Sequence, residues 1–237
     1  MPQGFQTTRW TLVLRAASLN DAERQQALAE LVEQNWYPLY SFLRHSGKAA
    51  EHSEDLLQGF FARVIEKNVL SGVRPHQRAR FRSFLLACLK NYVTNEIKYE
   101  QAAIRKPNLP TLSIDFEHAN EKFQIEAQDS LTPQQAYDRA WAVEQIEKAL
   151  AEVCACWEES GKADQFDLLK SCLVNDKTIS RDHIATQLNI SKQTLKVRIH
   201  RIRAEFRNAL CRNISETLDE TDLLEDEINQ LFSAFRM

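Results

Sequence analysis

The sequence predicts an all-α protein in which two helical domains are joined by an acidic linker. Only five glycines and six prolines occur among the 237 residues. Long stretches are rich in Ala, Leu, Glu, Gln, Lys and Arg, which lose little side-chain freedom in a helix. Apolar residues also recur at helical spacing in successive segments. With 43% hydrophobic residues, a chain of this length can bury one sizeable core or two small ones, and composition leaves both open.

The first predicted domain covers residues 1–101 and contains three helical segments. Ser53 is a suitable N-cap for the second segment, because two acidic residues follow it where the helix dipole favours negative charge. The stretch Ser71–Pro75 breaks the pattern, and a third helix is predicted from Phe81 onward. The first segment has apolar residues at helical spacing, which are Leu28, Leu31, Val32, Trp36, Leu39, Tyr40 and Leu43.

Residues 102–132 form the predicted linker. Helical periodicity fades there, and Pro107 and Pro110 punctuate a polar, acidic stretch that is long for a loop in a compact domain. The second predicted domain, 133–212, begins where Thr132 can cap a helix whose first turn holds Pro133. An acidic helical extension, 213–237, follows it.

Charge is segregated along the chain, although the net charge is only −3. Residues 74–106 contain eight basic and two acidic residues, and residues 177–212 contain nine basic and two acidic ones. Lysine and arginine release counterions from phosphates, so each basic island is a candidate site for a polyanion.

The second island contains a helix-turn-helix pattern. Ser180–Ser191 predicts a short helix and a tight turn, and Lys192–Arg203 predicts a second helix that Ser191 caps. One side of this helix is basic, as in a recognition helix that enters a major groove. Its apolar stripe, which continues past Arg203, consists of Leu195, Ile199, Ile202, Phe206 and Leu210. The alternative is a solvated basic helix in an ordinary bundle. The candidate DNA-contacting residues are Lys192, Gln193, Thr194, Lys196, His200, Arg201 and Arg203, with Lys196 and Arg201 the strongest individual candidates.

The helix-turn-helix residues resemble region four of bacterial sigma factors of the extracytoplasmic-function (ECF) group, and Ser53–Val64 and Phe81–Glu96 resemble their region two. The resemblance implies a region two-like bundle, a region four-like helix-turn-helix, and a longer subgroup with an acidic C-terminal extension. It also implies transcription initiation, in which the protein directs core RNA polymerase to promoter DNA. Clamp helices and flap of the polymerase would be partners, and an anti-sigma factor or other regulator is a further candidate partner.

The resemblance further implies roles for individual residues. Those implied to face polymerase are Glu54, Asp55, Gln58 and Phe61. Those implied to bind the minus-ten element are Arg74, Arg78, Arg80, Arg82, Asn91, Asn95 and Lys98. The helix-turn-helix residues would bind the minus-thirty-five element.

Two other classes of function were weighed against this interpretation. An autonomous helix-turn-helix regulator with an N-terminal sensor domain would bind DNA tightly without polymerase. An enzyme is not expected, because no phosphate loop, nucleophile elbow or metal-spaced cluster is visible. The five cysteines are expected to be reduced, with no metal or cofactor, and the lack of a signal-peptide pattern predicts a cytoplasmic, nucleoid-associated protein.

The acidic extension allows two interpretations. Asp222 could cap a helix with Glu225 at the third position, and the helix would pack on the C-terminal domain. Alternatively, this negative helix could compete with DNA for the basic face of the recognition helix. Its predicted apolar stripe consists of Leu223, Leu224, Ile228, Leu231, Phe232 and Phe235.

Overall fold

The computed structural model describes residues 32–33, 35–66, 80–101, 115–126, 130–173, 180–218 and 223–235. Within these ranges the fold is all-α, as predicted, and no strand is present apart from an isolated bridge between Arg80 and Leu218. The helices there are α1 (Trp36–His45), α2 (Ala50–Glu66), α3 (Phe81–Gln101), α4 (Phe116–Glu126), α5 (Pro133–Glu159), α6 (Ala163–Lys170), α7 (Arg181–Gln187), α8 (Lys192–Ser215) and α9 (Leu224–Ser233).

The chain forms two compact units. Unit 1 contains the residues up to Ala142 and those from Ser215 onward, whereas unit 2 is Val143–Ile214. Helix α5 therefore begins in unit 1 and ends in unit 2, and the chain returns to unit 1 at the end of α8. The division into functional segments 1–101, 102–132, 133–212 and 213–237 stays a prediction.

The core of unit 1 is built from α1, α2 and α3, which bury their apolar sides against one another. Leu39, Tyr40, Leu57, Phe61 and Leu85 are all fully buried. Burial of large aliphatic and aromatic side chains is the main stabilising contribution to such a bundle.

Helix α4 lies inside the segment that was predicted to be a structureless linker. Asn120 accepts hydrogen bonds from Tyr40 and Arg44, and its Nδ2 donates to Glu54 Oε1 over 3.1 Å. The guanidinium of Arg44 also lies 4.2 Å from the ring centroid of Phe123. The prediction missed this helix because its apolar positions are few, although Phe116, Ala119 and Phe123 pack on the core of unit 1.

The helix ends test the predicted caps. Ser53 is not an N-cap, because α2 begins earlier, at Ala50, and the buried hydroxyl of Ser53 donates to the carbonyl of Ala49 over 2.9 Å. Thr132 is a cap, as predicted. Its Oγ1 accepts from the backbone N–H of Gln135 at 3.3 Å, and Gln135 Oε1 accepts from the N–H of Thr132 at 2.8 Å. This reciprocal pair is a capping box.

Unit 2 packs the second part of α5, α6, α7 and α8 around an apolar centre. The predicted stripe of α8 is confirmed, since Leu195, Ile199, Ile202 and Leu210 are buried and Phe206 is half-buried. None of the helices in the described part of the chain is long and apolar enough to cross a lipid bilayer.

Candidate nucleic-acid interface

Helices α7 and α8 form the predicted helix-turn-helix. Ser180 caps α7 by accepting from the N–H of Asp182 at 3.3 Å, and Ser191 caps α8 by accepting from the N–H of Thr194 at 3.1 Å. Between the helices Asn189 has φ +49°, a left-handed conformation that asparagine tolerates better than most residues. Two caps and one left-handed residue thus set the angle at which α8 leaves the turn.

The two helices are held by apolar contacts and turn hydrogen bonds. Ile184 of α7 and Leu195 of α8 are buried. The N–H of Ile190 donates to the carbonyl of Ala185 over 3.0 Å, which closes the turn. The apolar side of α8 is therefore covered, and its polar sides face outward.

A groove between the start of α7 and α8 is rich in cations; we call it the basic groove. It has a volume of about 380 Å³. Its lining residues are Arg181, Asp182, Lys192, Leu195, Lys196, Ile199, His200 and Arg203. Asp182 is the single carboxylate in this lining, and it pairs with Lys192 at 2.8 Å. The lining therefore has a net positive charge, as a site for an anion requires.

Arg203 is oriented by a contact outside the groove. Its Nη2 donates to the backbone carbonyl of Cys172 over 2.7 Å. An arginine held in this way loses less conformational entropy when it binds a phosphate, because part of the side chain is already ordered.

A second surface of α8, which we call the outer face, consists of Gln193, Lys196, Val197 and His200. Lys196 and Val197 each lie three or four residues from both Gln193 and His200, so the four side chains lie on neighbouring turns of one helix surface. All four side chains are exposed, and Val197 is 60% exposed. Val197 was missed as a candidate site residue. The signal was present in the sequence, since Val197 is an apolar residue that does not belong to the apolar stripe of α8.

Two predicted DNA-contacting residues do not join these surfaces. Arg201 lies about 140° from Lys196 around the axis of an α-helix, and its Nε pairs with Glu205 Oε1 at 2.8 Å. It lines a separate cavity of about 280 Å³ beside Trp157, whose Nε1 donates to Glu205 over 2.7 Å. Thr194 shares a hydrogen bond with the cap residue Ser191. The structure thus brings Lys192, Gln193, Lys196, His200 and Arg203 together, without Arg201 or Thr194.

The first basic island is arranged differently, because Arg82 is only 5% exposed. It pairs with Glu227, which is 0% exposed, and with Asp138, and its Nη2 donates to Gln230 over 2.7 Å. The guanidinium also lies 4.5 Å from the ring centroid of Trp141. Burial acts to lower the pKa of Arg82, but the hydrogen bond and the charge of Glu227, together with the charge of Asp138, leave that pKa above its ordinary value.

Several candidates in unit 1 are therefore not surface groups. Arg82 is internal, and Phe61 is a fully buried core residue, which corrects the expectation that both face a macromolecule. Arg80 is half-buried and pairs with Glu227 Oε2 at 3.0 Å. The prediction failed here because charge and periodicity in α3 do not reveal a carboxylate far along the chain.

The remaining candidates of unit 1 occupy mixed positions. Asn91, Asn95 and Asp55 are exposed, and Glu54 and Gln58 are half-buried. Lys98 lies within α3. Arg74, Arg78 and the predicted break Ser71–Pro75 lie outside the described residues.

The acidic extension belongs to unit 1, so the prediction that it packs on the C-terminal domain is wrong, and its competition with DNA stays a prediction. Helix α9 buries Glu227 and Leu231, whereas Phe232 in α9 and Phe235 just after it are 49% and 44% exposed. The buried side of α9 is thus the one that carries Glu227, which pairs with Arg80 and Arg82 of unit 1. The predicted cap, Asp222, lies outside the described residues.

No group of three or more potential metal ligands occurs among the residues that the structure describes. The five cysteines form no disulfide with one another. Burial raises the pKa of the Cys88 thiol, which disfavours the thiolate.

Comparison with known proteins supports the helix-turn-helix. Residues 159–217, which include α6, α7 and α8, match the family described as the M protein trans-acting positive regulator (MGA) HTH domain. Comparison with curated proteins and with solved structures gives no significant match. The chain therefore carries a DNA-binding helix-turn-helix similar to that of a transcriptional regulator.

This match overturns the assignment to the ECF sigma factors, because the matching domain is that of a regulator rather than a sigma region. A short helix, a tight turn and a basic second helix with apolar positions at fixed offsets are common to many helix-turn-helix domains. The residues that suggested the family indicate the motif alone. Core RNA polymerase and an anti-sigma factor are without support as partners, and the residue roles that depended on the resemblance stay untested predictions.

Proposed function

We propose that this protein is an autonomous helix-turn-helix transcriptional regulator that binds specific duplex DNA without another protein. Helix α8 would lie in the major groove, with its outer face toward the bases. The observation that carries this proposal is the adjacency of two surfaces on one helix, a basic groove suited to phosphate and an exposed outer face suited to base edges. The proposal assigns no reaction and no cofactor to the chain.

The basic groove supplies affinity. Arg181 lies at the start of α7, and Lys192 lies at the start of α8, so both cations are near helix N-termini, where backbone N–H groups also favour anions. Together with Lys196 and Arg203 they surround one space. A phosphate of the DNA backbone bound there would fix the register of α8 in the major groove without reading sequence.

The outer face supplies specificity. The amide of Gln193 can donate to and accept from the same adenine, and Lys196 can donate to guanine O6 and N7. Both residues are exposed near the start of α8, which is the part of a recognition helix that contacts bases.

The experiment is selection of bound sequences from random duplex DNA with the full chain, followed by gel shifts without polymerase. We expect an enriched sequence bound with Kd of about 10⁻⁸ M or tighter at moderate salt. Lys196→Glu should abolish the shift. The matched control is Lys162→Glu, an exposed lysine of unit 2 outside the basic groove and the outer face, and it should bind nearly as well as the unchanged protein.

Two results would contradict the proposal. One is the absence of any enriched sequence. The other is specific binding that occurs only after core polymerase is added, because an autonomous regulator needs no such partner.

A further inference from the structure

Val197 is the most exposed large hydrophobic side chain in the described part of the chain, at 60%. Folding does not explain valine at this position. Its side chain is outside the apolar stripe, and a β-branched residue is a poorer helix former than alanine, because the preceding turn restricts χ1. A solvent-exposed helix position with no packing role would favour a residue such as Ala, Lys or Glu.

The surroundings of Val197 indicate what it could contact. Gln193 and His200 lie one turn before and after it, and Lys196 precedes it directly. These neighbours carry hydrogen-bond donors suited to base edges and phosphates, and a single valine among them is too small an apolar patch to hold a protein partner. The other exposed large hydrophobic residues, Ile97, Phe232 and Phe235, all belong to unit 1.

The major groove presents one apolar group that a valine can recognise. Thymine carries a C5 methyl there, and cytosine, adenine and guanine do not. Contact between a methyl group and an isopropyl group removes apolar surface of both from water, which is favourable only when thymine is present. In the second turn of α8, Val197 stands where a recognition helix meets base edges.

We propose that Val197 is a specificity-determining residue that recognises the C5 methyl group of one thymine in the DNA site. The inference rests on the proposed function and adds a base identity to it. Gln193 and Lys196 would bind polar edges of neighbouring bases, while Val197 makes the apolar contact between them.

The test replaces the thymines of the selected DNA one at a time by uracil, which lacks only the methyl group. For the unchanged protein, one replacement should weaken binding about fourfold, the fold-change that corresponds to ~0.8 kcal/mol for one buried methyl. Val197→Ala should reduce the difference between thymine and uracil at that position, because the shortened side chain buries less of the thymine methyl. Alanine is the better helix former, so the variant keeps α8 intact.

Two matched variants complete the experiment. Lys196→Ala should weaken binding to the selected sequence yet keep the fourfold difference between thymine and uracil. Phe232→Ala, which removes an exposed hydrophobic side chain of unit 1, should change neither quantity.

The outcomes separate this inference from the proposed function. An enriched sequence for which every uracil replacement is neutral would overturn the role of Val197 and leave specific DNA binding intact. So would a Val197→Ala variant that distinguishes uracil from thymine as strongly as the unchanged protein does. If no sequence is enriched at all, the proposed function fails, and the inference fails with it.

Discussion

The Arg82 cluster of unit 1 and the basic groove of unit 2 contain the same kinds of cation in opposite environments. Arg82 is surrounded by Glu227, Asp138 and Trp141 and is nearly inaccessible to water. In the basic groove, four cations meet a single carboxylate, Asp182, and the lysines are exposed. Both regions come from basic islands that look alike in the sequence. A run of positive charge therefore indicates a polyanion site only when no carboxylate elsewhere in the chain neutralises it.

The difference also separates two roles of arginine. A buried ion pair matters for stability mainly because removal of one partner leaves the other as a buried charge with no partner. An exposed pair contributes little to stability, but its cation remains available to a ligand. We therefore expect substitutions in the Arg82 cluster to change the free energy of unfolding, and substitutions in the basic groove to change DNA affinity.

The largest effect is expected for Glu227→Ala. It leaves Arg82 buried without its main partner, so the free energy of unfolding should fall by roughly 3–5 kcal/mol, as measured by urea denaturation. Glu225→Ala on the exposed side of the same helix is the control and should change it by less than about 0.5 kcal/mol. Equal effects of the two substitutions would contradict the buried pair.

A double replacement sharpens this comparison. Arg82→Met combined with Glu227→Leu removes both charges, so much of the stability lost in Glu227→Ala should return. If the double variant were as unstable as Glu227→Ala, packing rather than the unpaired charge would account for the loss.

The next largest effect is expected for Arg203→Ala in the basic groove. Loss of one charge-assisted phosphate contact should weaken DNA binding about tenfold and reduce the slope of log affinity against log salt by about one. Gel shifts over a salt series measure both. An unchanged slope would mean that Arg203 does not meet a phosphate.

Asn189→Ala should have a smaller effect, on stability. The φ of +49° at Asn189 costs an alanine roughly 1 kcal/mol relative to a residue that accepts this conformation. Asn189→Gly is the matched variant, since glycine populates that region freely, and it should be close to neutral. Thermal denaturation of both variants tests the turn, and equal destabilisation would contradict its left-handed geometry.

The smallest effect is expected for Asp182→Asn. The ion pair with Lys192 is exposed, so the free energy of unfolding should change by less than about 1 kcal/mol. DNA affinity should rise a few-fold, because a carboxylate no longer repels phosphate at the basic groove. A fall in affinity would show that Asp182 positions Lys192 rather than neutralising it.

The helices that the sequence predicts well are those with a continuous apolar stripe. Helix α8 was predicted from Lys192 onward, with Ser191 as its cap and with its buried side, because apolar residues repeat at helical spacing along it. Helix α4 was missed because its core-packing residues, Phe116, Ala119 and Phe123, are too few for the sequence to show a continuous stripe. Ser53 was misread because a serine before two acids fits a cap and an interior position alike.

The sequence by itself determined the all-α fold, the helix-turn-helix and the cationic composition of α8, because each depends on neighbours within a few residues along the chain. Tertiary structure alone decided that Arg82 is neutralised by Glu227, 145 residues away, and that Trp157, 48 residues from Glu205, donates to the carboxylate that pairs with Arg201. Burial and pairing of charge depend on which segments meet in space. The local sequence shows which charges each segment carries. Only the fold shows which of those charges are neutralised within the protein and which stay accessible to a ligand.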